Sequence, residues 1–585
     1  MHFNKKFLSG LLPIFLCLMG MLFTACGGPN IIGGTTTKAP ASQQTLRLAL
    51  NISNIPTLDP GQATDAISSE VIYLLFTGLV KLDDKLNIKP QLAQTYSMSP
   101  DGLTYTFHLR PHLKFSDGTP LTSQDVIYSI DRALSPEISS LNGVSLTYLG
   151  LIKDAEGRTR RTVKSLINDS LLAPDPNTVI IKLNKATGYF LDTLAYPTSY
   201  VVEKSVTDKW GSQWTNHLSD NGGQGGDGPF KVQSYNPNTG VSVIPNANYE
   251  QAHPQLQKIN ISLFKGSDPE YQAYQANQID NTMIPVANFQ QAKTRTTEFR
   301  ALPSLLISYI AMNYLAKPFD NIKIRQAFEL ALNRDVITQD VLRGEFTPSC
   351  HIVPAGMPGY NPKLTCPFGA PTSGDPAKAK QLFAEGLQEE GLTLATFPNI
   401  TLTSQADHPD TDNAITTAEQ MWKNVLGVTT IHESILQFGQ IVQAESNTTG
   451  KTPAQGGLQM WYANWVADYP DPQDWLTLQF GAGSPNNEVN YGQNTSTDAA
   501  IQQQTQQQMA AADIMPNGPA RYQAYNAPEQ QAVNDVAWLS LYQAPGAYGA
   551  TGANLRKPYV YGIVDNALGV FCDPNDWANI YITVH

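Results

Sequence analysis

A multi-lobed fold that mixes helices and strands, α/β or α+β in class, is predicted by three observations. The chain has 585 residues, and a single hydrophobic core stops growing at roughly 250–300 residues, so two or three lobes are needed. Period-two and helix-period apolar patterns alternate along it, without the strict strand–helix–strand rhythm of one parallel sheet. No internal repeat at a fixed period is present.

Composition narrows the function classes. Hydrophobic residues make up 41% and charged residues 15%, with a formal net charge of −12 from 38 basic and 50 acidic side chains. A mildly acidic chain without clustered Lys and Arg lacks the electrostatic footprint of a nucleic-acid binder.

The first 25 residues read as an export signal. Lys5 and Lys6 precede an apolar stretch from Phe7 to Phe23, which runs through Thr24 and Ala25 into Cys26. Small residues before a cysteine resemble the lipobox of bacterial lipoproteins, although Phe23 stands where Leu is usual. That likeness implies that Cys26 becomes a lipidated, membrane-anchored N-terminus; a plain secretory signal and an uncleaved anchor helix are the alternatives. Residues 26–44, rich in Gly, Thr, Pro, Ala and Gln, are expected to form a flexible tether.

The next elements follow in order. Leu46, Leu48 and Leu50 alternate within Thr45 to Ile52, a half-buried strand. After the Asp101-Gly102 turn, Tyr105, Phe107 and Leu109 alternate in a second strand. Thr122 and Asp125 form a capping box that opens a helix with Val126, Ile127, Ile130 and Leu134 on one stripe. Residues 221–230, NGGQGGDGPF, lack the Gly-Lys-Ser/Thr ending of a phosphate loop and read as a mobile loop into a strand. Ile324, Ala327, Phe328, Ala331 and Leu332 form the buried stripe of another helix, and Asp375-Pro376 caps a third. Cys350 and Cys366 flank a Pro- and Gly-rich stretch. A bridge there would stabilise by roughly 3 kcal/mol; two free thiols, or pairing of either with Cys572, are the alternatives.

Several motifs occur together in order: Leu58-Asp59-Pro60, Phe76-Thr77-Gly78-Leu79, Asp101 to Arg110 (DGLTYTFHLR), Phe115 to Thr122 (FSDGTPLT) and Asp125-Val126. Further on come Gly228-Pro229-Phe230, Asn313, Ile324 to Ala327 (IRQA) and Ala331 to Arg334 (ALNR). Together they resemble the oligopeptide- and dipeptide-binding family of ABC importer solute-binding proteins, family 5. The resemblance implies a two-lobed periplasmic-binding-protein-like α/β fold with an inserted subdomain and a hinge between lobes. Lobe I would comprise 45–66, 196–303 and 537–585, the inserted subdomain 67–195, and lobe II 304–536. The hinge would cross near Leu302–Ser308 and Trp538–Leu541. It also implies a monomer that captures a peptide, hands it to an importer permease and ATPase complex, and uses no cofactor or metal.

The segment Trp461 to Pro472 (WYANWVADYPDP) resembles the family's cleft strand. By position, Asn464 and Val466 match residues that offer backbone hydrogen bonds, and Asp468 matches the aspartate that receives the ligand's α-ammonium. Main-chain pairing suits any peptide, and a desolvated ammonium needs a carboxylate partner. Trp465 should point the other way, and Trp461 and Trp465 are either core aromatics or pocket walls. Asn54 and Ile55 match the facing backbone edge of lobe I. A plain turn is the alternative reading of the segment, since Asp468 and Asp471 both lie near X-Pro bonds. Members of this family also bind nickel chelates, haem, opines and oligosaccharides, and a ligand sensor without transport is a further alternative.

Catalysis finds little support. His432-Glu433 starts like a zinc-protease helix, but position 436 is Leu, not His. No Gly-x-Ser-x-Gly occurs in the mature chain.

Overall fold

The computed structural model describes residues 37–63, 65–138, 145–301, 303–406, 409–545, 553–564 and 576–585. The export signal, Cys17, the expected lipidation site Cys26 and Cys572 lie outside the described residues.

The first strand, Thr45–Asn51, buries Leu46, Leu48 and Leu50 as its alternation dictates. It pairs in parallel with Lys258–Phe264, which continues antiparallel through Gly240–Pro245 to Phe230–Asn236. The helix Ala66–Leu75 shares a core with this four-stranded sheet. Two expectations fail here. The glycine-dense stretch is not a loose loop: residues 223–230 are buried, and a Cβ on Gly226 would stand 2.2 Å from the Leu75 carbonyl oxygen. Those glycines serve close backbone packing. The end of the tether is also docked. Ala39 N–H donates to the Ile582 carbonyl, and the buried Gln44 amide donates to the carbonyls of Ala39 and Ile582.

A second unit is built on the sheet Ala93–Met98, Thr104–Leu109, Thr178–Lys182 and Leu171–Asp175. Its helix Ser123–Ala133 starts where the capping pattern placed it, with the Asp125 carboxylate accepting from Thr122 N–H at 2.8 Å. This unit has its own core, from Leu79 to Val201. Arg132 ties it to the first sheet through a two-pronged contact with Asp59, which also accepts from Trp214 Nε1.

The third unit is a six-stranded sheet in the order Thr347–Pro348, Leu539–Pro545, Pro303–Met312, Met460–Val466, Ile400–Gln405, Ile431–Leu436. Ile322–Leu330, Pro376–Glu389 and Pro409–Leu426 share one of its cores. Asp375 caps the second of these by accepting from Lys378 N–H at 3.0 Å. The first ends at Leu330, so Ala331 and Leu332 extend its buried stripe beyond the last helical turn. On the other face pack Tyr309, Trp461, Trp475 and Trp538. The Cys350–Cys366 disulfide lies at the edge of that core.

Strand pairing revises one boundary. Leu539–Pro545 was expected with lobe I but pairs with Pro303–Met312 in the six-stranded sheet, whereas Ala553–Arg556 pairs with Asn281–Met283 and Phe299–Ala301. Apolar alternation marks a strand without saying which sheet receives it.

Candidate functional site

The strand Met460–Val466 lies beside Pro303–Met312, with Ser308 opposite Asn464 and Leu306 opposite Val466. Ala467 N–H donates to the Leu305 carbonyl at 2.8 Å. Antiparallel bonding alternates by two, so Ala463 and Trp465 bond toward the central strand. The N–H and C=O groups of Asn464 and Val466 therefore turn to the opposite edge. The neighbour on that side, Ile400–Gln405, registers only at Leu402–Met460 and Thr403–Trp461. Beyond Trp461 the edge carries no strand partner among the described residues.

The open edge leads directly to Asp468. Its carboxylate accepts from Tyr148 Oη at 2.5 Å, and Tyr196, stacked on Tyr148 with centroids 3.8 Å apart, also favours the ionised form. Asp468 keeps a partly exposed face, yet no Lys, Arg or His pairs with it among the described residues. Loss of water dominates, and the carboxyl is pushed up to about 7.

Asp474 lies behind it, fully buried. One of its oxygens accepts from Asp468 N–H and Trp465 Nε1, both at 3.2 Å, while the other has no partner among the described residues. Burial, then the nearby Asp468 charge, raises Asp474 well above the usual carboxylate range. Burial thus favours the protonated form of both carboxyls.

Asp471 has a different role, although its sequence setting is similar. It caps a turn through Gln473 N–H and is held by Arg521 with two contacts of 2.5 and 2.9 Å, both side chains buried. It is a structural pair; Asp468 is the carboxylate left open.

The remaining expected residues divide. The side-chain oxygen of Asn464 accepts from Ser308 Oγ at 2.6 Å and Tyr462 Oη at 3.1 Å, which fixes the strand. Trp461 is 1% exposed and belongs to the core, while Trp465 is half-buried with its ring nitrogen engaged. Ile55 sits in the core of the first sheet and its N–H donates to Pro237, while Asn54 is exposed. No hydrogen bond links either of them to the open strand among the described residues. Tyr148, Tyr196 and Asp474 were missed by sequence reasoning. Tyr148 is 320 residues from Asp468, and no local pattern marks it.

Contacts between the second and third units surround this point. The rings of Tyr189 and Tyr469 stack at 6.5 Å, Arg521 lies 5.4 Å from the Tyr189 ring centre, and Thr147 Oγ1 contacts Asn486 at 3.0 Å. Among the described residues no group of three or more His, Cys, Asp or Glu is placed to hold a metal ion, and no helix is long and apolar enough to cross a membrane.

Comparison with known proteins places these features in context. A family model described as bacterial extracellular solute-binding proteins, family 5 Middle, matches residues 87–487. The oligopeptide-binding protein OppA of Bacillus subtilis is 27% identical over 489 residues, covering 81% of this chain and 85% of that protein. The glutathione-binding protein GsiB of Escherichia coli is 29% identical over 427 residues, covering 72% and 75%. Among solved structures, the murein tripeptide binding protein MppA of Escherichia coli superposes with a TM-score of 0.78 at 24% identity, covering 94% of this chain and 100% of that one. Haemophilus influenzae OppA in complex with RPPGFSPFR gives a TM-score of 0.75 at 21% identity, covering 92% and 99%. The fold is the two-lobed α/β fold of these proteins.

Proposed function

The chain belongs to the bacterial extracellular solute-binding proteins of family 5, and from that premise we propose that it captures a peptide and delivers it to an ABC importer. One observation carries this reading: an open strand edge that ends at a desolvated carboxylate without a protein cation. A peptide laid along Asn464 and Val466 pairs main chain to main chain, which is independent of its sequence. Its α-ammonium then meets Asp468 and supplies the positive charge that the site lacks. The relatives described as binding oligopeptides, glutathione and a murein tripeptide support a ligand of this kind.

Lobe I would comprise 45–66, 196–301 and 553–585, lobe II 303–545, and the inserted subdomain 67–195. Closure brings Tyr148 of the insert onto Asp468 of lobe II, so the carboxylate that reads the ligand is also where the two units meet. A ligand favours closure only by binding that state better. Oligosaccharide binding is less well supported, because Trp461 is buried and the Trp465 ring nitrogen is engaged. The protein would act as a monomer, anchored outside the cytoplasm through Cys26.

Calorimetry with a free-amine peptide and its N-acetylated form tests the reading. Asp468→Ala weakens the free-amine peptide far more than the acetylated one; equal losses for both remove the ammonium contact.

A further inference from the structure

A second acidic group lies on two segments that pack against the six-stranded sheet. Glu445 ends the helix Phe438–Ser446, which packs near Ile400–Gln405, and Glu488 lies on the loop after Gly481. Hydrogen bonds pull their two segments together. Thr449 Oγ1 donates to the Pro485 carbonyl at 2.9 Å, Gly450 N–H donates to Asn490 Oδ1 at 2.5 Å, and Asn490 Nδ2 donates to the Thr448 carbonyl at 3.1 Å. The same loop is fixed against the end of the central strand, where Tyr314 N–H donates to the Val489 carbonyl at 2.9 Å.

Both glutamates are partly exposed, and neither side chain has a hydrogen-bonded or ion-paired partner among the described residues. Burial raises both, Glu488 up to about 8 and Glu445 well above the usual range, and the Glu488 charge adds to the rise at Glu445. Two carboxyls that crowd one site without a cation behave in this way.

An independent observation points to a ligand. Tyr309 is 5% exposed, its ring stacked 3.9 Å from Trp538, and its hydroxyl makes no hydrogen bond among the described residues. That hydroxyl feels the charge of both Glu445 and Glu488. Tyr309 is also the register partner of Ala463, one residue before Asn464, whose backbone faces the open edge. A peptide strand added at that edge directs alternate side chains to the face on which Tyr309 and Ala463 stand.

We propose that Glu445, Glu488 and the Tyr309 hydroxyl form a subsite for a cationic ligand side chain, that of lysine or arginine. This rests on the peptide reading and adds a side-chain preference to it. Main-chain pairing and Asp468 accept any free-amine peptide, whereas this subsite selects among them by charge at one position.

The test uses the full chain and pentaalanine, with lysine, norleucine or glutamate substituted singly at each position, in calorimetry at constant ionic strength. At one position lysine binds more tightly than norleucine by roughly tenfold, and glutamate there binds more weakly than either. In the Glu445→Gln, Glu488→Gln double variant the lysine-to-norleucine ratio at that position falls to near one. The wild-type ratios need no variant, so a misfolded double variant leaves the test intact. Ratios within about twofold at every position overturn the subsite while the peptide reading stands. Calcium binding that the double variant abolishes, without a lysine preference, reassigns the pair to a metal. If no peptide of the series binds in any arm, the peptide reading fails and the subsite with it.

Discussion

Peptide affinity should depend on pH through Asp468, and the size of the effect follows from its surroundings. Burial raises its carboxyl from 3.8 to about 7, against the opposing hydrogen bonds of Tyr148 and Tyr196. An acid with a raised pKa in the free protein holds its proton below that value, and an ammonium ligand must displace it. Binding therefore weakens as pH falls below about 7, approaching tenfold per unit, which is about 1.4 kcal/mol for each unit. Between pH 7 and pH 5 the loss is on the order of a hundredfold. The peptide's own α-amino group deprotonates near 7.7–8.0, so affinity also declines on the alkaline side and the optimum lies near neutrality. Burial, then the charge of Asp468, raises Asp474 as well. Calorimetry of pentaalanine from pH 5 to pH 8.5, in buffers of different ionisation enthalpy, measures both the affinity and the proton released. Tyr148→Phe removes a bond to the carboxylate and should move the acid limb to higher pH. An affinity that stays constant from pH 5 to pH 7.5 would refute the reasoning.

The other predictions concern stability and anchoring. Arg521→Met leaves the buried Asp471 carboxylate without its partner and should cost about 3–5 kcal/mol, read as a lower urea midpoint; pairing it with Asp471→Asn should recover much of that loss. Cys350→Ser with Cys366→Ser opens a bridge spanning a sequence separation of 16, with a cost of about 3 kcal/mol, measurable as a lower melting temperature; wild type in reductant should show the same shift. Cys26→Ser should release the protein from the membrane fraction and end incorporation of labelled fatty acid, and a variant that still sediments with membranes counts against lipid anchoring.

Sequence legibility followed the range of the interactions. The strand at Thr45–Asn51 and the Asp125 and Asp375 caps were readable because alternation and capping act within a few residues, and the strand Met460–Val466 through its resemblance to the family's cleft segment. The glycine-dense stretch was misread as mobile because the backbone it packs against, at Leu75, is far away in the chain. The tether's last residues were misread for the same reason: their partner is Ile582.

By itself the sequence determined the family, the mixed fold and the strand that ends at Asp468, since each is written in contiguous motifs. Its local pattern did not separate Asp468 from Asp471, which have similar proline-rich neighbours; only the family resemblance singled out Asp468. Tertiary structure distinguishes their surroundings, giving Asp471 a guanidinium from Arg521 and Asp468 only the hydroxyls of distant tyrosines. Whether a carboxylate is already neutralised depends on which side chains surround it after folding, and those come from parts of the chain that no local pattern connects.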